Sequence, residues 1–204
     1  MITTETAARL TGDLDRFLPH ADVRERHETV IHAPAQLVLD TARRFDIWSL
    51  PPVRAIFWLR EQILGSRGRK APSRGLVEET RSLGWGTLEE EEGRYFCAGA
   101  VCQPWLADVV FTAVPPDEFA AYAEPGRVKI AWTLEAEPLG PETTRFATET
   151  RAAATDAVAR ARFRRYWRFA GVGIVLIRRL LLPALRREAE RRWRQAPAAR
   201  LGAI

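Results

Sequence analysis

The spacing of hydrophobic and polar positions predicts helices in most of the first half of the chain. Residues 23–31, VRERHETVI, alternate in part and are rich in β-forming side chains, which predicts a strand. After this strand the hydrophobic positions recur with the longer spacing of a helix. Residues 35–45 and 50–64 predict two helices opened by prolines, and residues 75–83 predict a third, short helix. A further helix is predicted within residues 3–18, where Pro19 ends it.

From residue 84 onward the hydrophobic period is two, which predicts a run of strands. Residues 85–92 and 94–103 form a predicted hairpin around Glu92-Gly93, a favourable turn pair. Residues 107–114 predict another strand, and residues 127–137 and 143–154 predict a second hairpin. We therefore expect an antiparallel sheet in this half of the chain.

The last periodic segment, residues 157–195, predicts a long amphipathic helix with Thr155 or Asp156 as its N-cap. At 100° per residue nine of its apolar side chains fall in an arc of about 100°; they are Phe163, Tyr166, Trp167, Ala170, Ile174, Ile177, Leu181, Ala184 and Leu185. Most of its arginines fall opposite. The pair Arg178-Arg179 interrupts the apolar run well before the roughly 20 residues of a membrane span. We expect the apolar arc to cover one face of the sheet.

Charge and length change this picture little. The 204 residues suffice for one core, and the net charge of +5 arises in the long helix, which holds twelve arginines and two glutamates. The first residues lack the apolar core of a secretory signal, so we expect a cytoplasmic protein. The predicted organisation is an N-terminal helical extension over 1–19, one α+β domain over 20–195 and a disordered tail over 196–204.

Candidate chemistry is sparse. His27 and His32 lie five positions apart, as do Cys97 and Cys102, so within a strand each pair faces opposite sides. We expect no metal site and no disulfide. Neither the cysteines nor the serines have an evident histidine partner for nucleophilic catalysis, and no catalytic residue is assigned.

The seven Trp and nine Phe residues are many for this length, and large rings line pockets for flat or oily ligands as well as cores. His27, Glu89 and Tyr166 are the polar candidates for orienting a ligand. Glu89 qualifies if the Trp85 side of its strand faces inward. The predicted apolar lining is Trp58, Trp85, Phe96, Trp105, Trp132, Phe146, Phe163, Tyr166 and Trp167.

The chain resembles the helix-grip fold of the START-like superfamily, which includes polyketide cyclases, pollen-allergen-like proteins and lipid carriers. The segment VIHAPAQLVLD resembles that superfamily's strand–Ala–Pro–helix opening, and the last hairpin runs into a long amphipathic helix. The segments LPHADVRERH, EEEEGRYFCAGAVCQPW, DEFAAYAEPG, TETRAAATD and RFRRYWR are similar to uncharacterised bacterial members. The resemblance implies a curved antiparallel sheet wrapped around the C-terminal helix, with a pocket between them and no cofactor.

Three functions stay open at this point. The first is binding of a small hydrophobic or aromatic molecule in that pocket. The second is a cyclase or dehydratase that uses the pocket without a cofactor, with a His/Glu/Tyr set moving protons. The third is an interaction protein that docks through the arginine-rich helix face, with a weak membrane-surface contact among its forms. Nucleic acid is not expected, because no aromatic side chain interrupts the basic face. The oligomeric state is not predicted.

Overall fold

The computed structural model describes residues 14–65 and 75–196, so the predictions for the first 13 residues, for residues 66–74 and for the tail from 197 onward lie outside the described residues. The first half of the chain is mostly helical. Its elements are α1 (Leu14–Phe17), β1 (Val23–Ile31), α2 (Ala35–Arg43), a 3-10 turn (Ile47–Ser49), α3 (Pro51–Leu64) and α4 (Leu76–Ser82). The second half contains β2 (Gly86–Glu91), β3 (Tyr95–Cys102), α5 (Pro116–Phe119), β4 (Val128–Gly140), β5 (Thr143–Ala154) and α6 (Ala157–Gln195).

The strands form one five-stranded sheet in the order β1-β5-β4-β3-β2, and every neighbouring pair is antiparallel. Gly93 turns the β2–β3 hairpin at a φ of 73°, where glycine is favoured. The predicted α+β class is confirmed, with an antiparallel sheet and a long C-terminal helix that contacts β1, β5 and β4. We call the side of the sheet that faces α6 the inner face, and the other side the outer face.

Each face of the sheet has its own apolar cluster. On the inner face Phe96, Leu134 and Phe146 are buried with side chains of α2 and with the C-terminal part of α6. On the outer face Cys97 and Phe119 are buried against Leu14, Phe17 and Leu18 of the N-terminal segment. The sheet is therefore covered on both sides, and α6 covers only one of them.

The long helix α6 begins at a capped end. Asp156 Oδ1 accepts a hydrogen bond of 2.8 Å from the Ala159 backbone N–H, and its Oδ2 accepts one from Gly126 N–H. The helix continues through Pro183 to Gln195. Its apolar stripe faces the sheet as predicted, since Phe163 and Leu185 are buried. Helix α3 packs on its middle, where a Cβ added at Gly173 would lie 3.1 Å from Ile56 Cγ2.

The strand predicted for residues 107–114 is wrong. Only Thr112 pairs, in an isolated antiparallel bridge to Val101. The pairing between β2 and β3 stops where Gly86, the first residue of β2, lies opposite Gly99. From that point to its C-terminal end, β3 has no strand beside it on this edge among the described residues. Thr112 fills one position of this edge, and Val110 is 71% exposed, with no neighbouring strand to pack against.

Candidate functional site

The middle of α6 is where its contact with the sheet is loosest. Its N-terminal turns pack through Phe163, Tyr166 and Trp167 in one apolar cluster, and its C-terminal turns pack through Leu182 and Leu185 in another. Between Phe163 and Leu182 the only residue of α6 that is fully buried is Gly171. The middle turns of α6 are therefore less closely packed on the sheet than its two ends.

The central strand is also incompletely covered on its inner face. Ile130 and Trp132 lie on β4, the third of the five strands, and their side chains belong to the inner face. Both are only partly buried, although they have strands on both sides and α6 above them. Trp132 packs on the buried Phe96 ring, with the ring centroids 5.6 Å apart. Ile130 and Trp132 therefore form an apolar wall that solvent reaches.

A guanidinium group reaches the inner face of the sheet from this part of α6. Arg178 Nη1 donates a hydrogen bond of 3.4 Å to Thr148 Oγ1, and Nη2 donates one to Thr150 Oγ1. Among the described residues no carboxylate oxygen lies within ion-pair distance of it. Burial lowers the pKa of Arg178 to about 10, and the negative charges of Glu25 and Glu149 offset part of that effect.

Strand β1 places two more polar side chains beside Arg178. The register sets His27 opposite Thr148 and Glu25 opposite Thr150, so both belong to the inner face. His27 Nε2 lies 3.7 Å from Glu25 Oε2. That nitrogen is buried and has no hydrogen-bond partner among the described residues. We call Glu25, His27, Thr148, Thr150 and Arg178 the polar cluster of the inner face.

On the outer face, in contrast, the arginines form ion pairs with buried carboxylates. Arg26 donates to Glu135 Oε2 at 2.9 Å and to Glu149 Oε2 at 3.3 Å. Arg151 donates to Glu149 Oε1 at 2.6 Å and also bonds Asp15. Each buried arginine there has carboxylate partners, which is the usual requirement for a buried charge. Arg178 is the exception within the part of the chain that the structure describes.

The residues predicted from sequence divide into several groups. Trp85, Phe96, Trp132 and Phe146 pack in the inner-face cluster, with His27 on the adjoining strand. The second group packs together around the first turns of α6 and comprises Trp105, Phe163, Tyr166 and Trp167. Trp58 is exposed on α3 and contributes to neither group.

Glu89 does not share the inner face with Trp85, although alternation predicts that it should. A β-bulge between Thr87 and Glu89 shifts the register by one residue, so Glu89 pairs with Cys97 of the outer face. Its carboxylate lies 3.9 Å from Arg16 Nη1 in the N-terminal segment. The carboxylate beside His27 is that of Glu25.

Sequence reasoning missed Glu25, Thr148, Thr150 and Arg178 as a group, although each carried a local signal. Glu25 shares the alternating face of His27. On the helical wheel Arg178 falls about 20° outside the apolar arc, four residues after Ile174 and three before Leu181. An arginine so close to the buried face of a helix is a candidate for a site.

Other features of the described residues add no second centre. No group of three or more His, Cys, Asp or Glu side chains is placed to hold a metal among them. A shallow depression lined by Pro125, Gly126 and Asp156 to Val158 lies at the start of α6, where Asp156 serves as the helix cap. None of the helices in residues 14–65 and 75–196 has the length and apolarity that crossing a bilayer requires.

Comparisons with known proteins add little to this geometry. No protein-family model and no curated protein matches the chain. One similar solved structure is the Zhui aromatase/cyclase from Streptomyces sp. R1128, with 14% sequence identity and a TM-score of 0.28. The match covers 89% of this chain and 99% of that one. At this level of similarity we base the function on the chain's own residues.

Proposed function

We propose that this chain binds a small, mainly aromatic or aliphatic molecule beneath the middle of α6, and that the molecule carries one anionic group that pairs with Arg178. The observation that carries the proposal is the Arg178 guanidinium, which is held over the inner face by two threonine hydroxyls and has no carboxylate partner there. Binding of a hydrophobic ligand is the first of the three functions that the sequence leaves open. The anionic group of the proposed ligand is inferred from the contacts of Arg178.

The energetics of Arg178 support this assignment. Placing a charged guanidinium in a poorly solvated space is unfavourable unless a counter-charge compensates it. Arginine presents several N–H donors in a plane that matches a carboxylate, sulfonate or phosphate. Thr148 and Thr150 use two of the five donors, which leaves donors for a ligand oxygen.

The apolar wall supports the rest of the ligand. Trp132 and Ile130 keep solvent-accessible surface at the centre of the sheet, so a bound ring would cover area that water now contacts. Binding sites for small molecules combine apolar walls with a few polar groups that fix orientation. The inner face has this composition around Arg178.

The test uses two probes with the same aromatic frame. 8-Anilinonaphthalene-1-sulfonate carries the anion, and N-phenyl-1-naphthylamine lacks it. We expect the intact protein to prefer the sulfonate and Arg178→Met to lose that preference. A hydrogen bond to a charged group is worth about 1.5–3 kcal/mol, so the sulfonate should bind roughly 10- to 100-fold more weakly. The neutral probe should change by less than about threefold.

The neighbouring arginine is the matched control. Arg179 is exposed and adjacent in sequence, so Arg179→Met should leave both affinities unchanged. Phe169→Ser removes a surface ring and separates binding on the outside of α6 from binding beneath it. Equal loss of both probes in Arg178→Met, or equal loss of the sulfonate in both arginine variants, would contradict the proposal.

One observation favours a second candidate function, cyclase-like proton transfer. His27 Nε2 is buried without a hydrogen-bond partner among the described residues, next to Glu25 and Thr148. A histidine so placed can take a proton from a carbon beside a carbonyl, with the resulting enolate oxygen facing Arg178. Deuterium exchange at the central carbon of 1-phenyl-1,3-butanedione, followed by NMR in D₂O, tests it. We expect His27→Gln to abolish any acceleration that the intact protein gives; no acceleration by the intact protein would exclude this function for such diketones.

A further inference from the structure

The solvent side of α6 is apolar in its middle, which its role as a cover for the sheet does not require. Phe169 is 77% exposed, Val172 is 72% exposed and Leu176 is also exposed. Spacings of three and four residues place these side chains in one row on the helix. The row lies on the side opposite the buried Phe163 and Leu185, so the expectation that no aromatic side chain interrupts the basic face is wrong at Phe169. An amphipathic helix of a globular domain normally shows polar residues there.

Helix α3 extends this surface. It packs on α6 where Ile56 approaches Gly173, in the same turns as Phe169 and Val172. Trp58 is 60% exposed and Leu59 is exposed, both within one turn of Ile56. We call Trp58, Leu59, Phe169, Val172 and Leu176 the exposed apolar patch. Extended apolar areas on a protein surface mark interaction sites.

A set of unpaired arginines accompanies the patch. Arg162, Arg165, Arg168 and Arg179 are exposed on α6 and form no ion pair or hydrogen bond with the described residues. From residue 157 to residue 187 the chain contains no acidic side chain. Farther along α6 the pattern differs, because Glu188 pairs with Arg191 and Arg192. The positive charge near the patch is thus free to meet an external anion.

We propose that the exposed apolar patch docks on an anionic lipid bilayer, with Phe169 and Trp58 entering the interface and the four arginines contacting lipid phosphates. Helices that lie in the membrane interface combine apolar and aromatic side chains with flanking Lys or Arg. Each basic residue near an anionic membrane surface contributes about 1 kcal/mol, or roughly fivefold in affinity. Docking here is peripheral, since no helix among the described residues is suited to span the bilayer.

Charge and shape favour a bilayer over other occupants. A second copy bound about a two-fold axis would oppose the same patch, which would bring the arginine groups of both copies together. Nucleic acid would satisfy the arginines but would leave five apolar side chains against phosphate and sugar. A bilayer provides an apolar layer under an anionic one, which matches the order of groups on this surface.

The test is flotation of the full chain with vesicles of phosphatidylcholine alone or with 30% phosphatidylserine. We expect binding to the anionic vesicles that weakens as salt rises. The triple variant Phe169→Ser, Val172→Ser, Leu176→Ser should abolish binding. Replacing Arg162, Arg165 and Arg168 by Gln should weaken it by about fivefold per charge. Brominated lipids should quench part of the tryptophan fluorescence, and that part should disappear in Trp58→Phe.

Matched controls lie elsewhere on the surface. Val110 is as exposed as Val172, and Arg44 is exposed without an ion pair among the described residues, so Val110→Ser and Arg44→Gln should leave binding intact. Absence of binding by the intact chain, or full binding by the triple serine variant, would overturn the proposal. So would a dimer of the intact chain that the triple serine variant converts to monomer, which would assign the patch to a second copy. Salt-sensitive retention on RNA or DNA without vesicle binding would also overturn it.

Discussion

Replacing Arg178 by methionine should make the unliganded protein more stable. The pKa of Arg178 is lowered from its ordinary value to about 10, first by burial, so the charged form is held at a disadvantage in the folded state. That lowering corresponds to about 3 kcal/mol. Because the folded pKa lies below the unfolded one, the penalty is fully present below about pH 10 and is relieved only as pH rises above that value towards the unfolded pKa. It is therefore complete at pH 7.

Two losses reduce the gain. Methionine cannot donate to Thr148 and Thr150, and a buried hydroxyl that loses its partner costs about 1 kcal/mol. Methionine fills irregular apolar space with little strain, so overpacking should be small. The expected net gain in the free energy of unfolding is about 1 kcal/mol, or 2–4 °C in Tm for a chain of this size.

Chemical denaturation at pH 7 measures the effect, with Arg26→Met as the contrasting variant. Arg26 is the ion-pair partner of the buried Glu135, so its removal leaves that carboxylate uncompensated and should cost about 3–5 kcal/mol, while Glu149 keeps Arg24 and Arg151. If Arg178→Met were instead destabilising by more than about 1 kcal/mol, Arg178 would be a structural element of the fold. The assignment of its charge to a ligand would then be refuted.

Three further predictions test the fold. Phe163→Ala should lower the free energy of unfolding by about 3–5 kcal/mol, while Phe169→Ala on the same helix should change it by less than about 0.5 kcal/mol. Equal losses in the two variants would mean that the side of α6 carrying Phe163 does not face the sheet. A Cβ at Gly99 would lie 2.5 Å from Leu88 Cδ1, so Gly99→Ala should destabilise by about 1–3 kcal/mol in denaturant melts. Burial raises the pKa of the Cys97 thiol to about 12. The Cys97 thiol should therefore react with a disulfide reagent only at the rate at which the protein unfolds. Fast labelling of Cys97 in the folded protein would contradict its buried position.

The elements that sequence predicted well are those fixed by local signals. Alternation placed β1 over 23–31 and β5 over 143–154, as the structure has them. The apolar stripe and the Asp156 cap placed α6 over 157–195. These features depend on neighbours within a turn or a strand, so one segment contains the information. The segment 107–114 has the same alternation but lacks a partner strand, which only the tertiary fold decides.

The candidate site was less accessible to sequence reasoning because it depends on register. His27 faces inward as its alternation suggested, but its acidic neighbour is Glu25 from the same strand. A β-bulge places Glu89 on the outer face, and no glycine or proline at the bulge indicates it in the sequence. In the sequence Arg178 only interrupts the apolar run. Its place in the site depends on its hydrogen bonds to Thr148 and Thr150 of β5, which the sequence of α6 does not contain.

Arginine has two roles along α6. At the surface, guanidinium groups such as Arg165 and Arg168 remain solvated without partners among the described residues, at little energetic cost. At Arg178 the same group is drawn beneath the helix, where lost hydration is unfavourable. The helix therefore presents cations to two different environments, and our two proposals assign an anion to each.

The most direct measurement is a crystal structure of the protein with 8-anilinonaphthalene-1-sulfonate. The account predicts the sulfonate oxygens within hydrogen-bond distance of the Arg178 guanidinium and the aromatic rings against Trp132, between α6 and the inner face of the sheet. A sulfonate bound only to the surface arginines of α6, with the space over Trp132 filled by protein side chains, would contradict it.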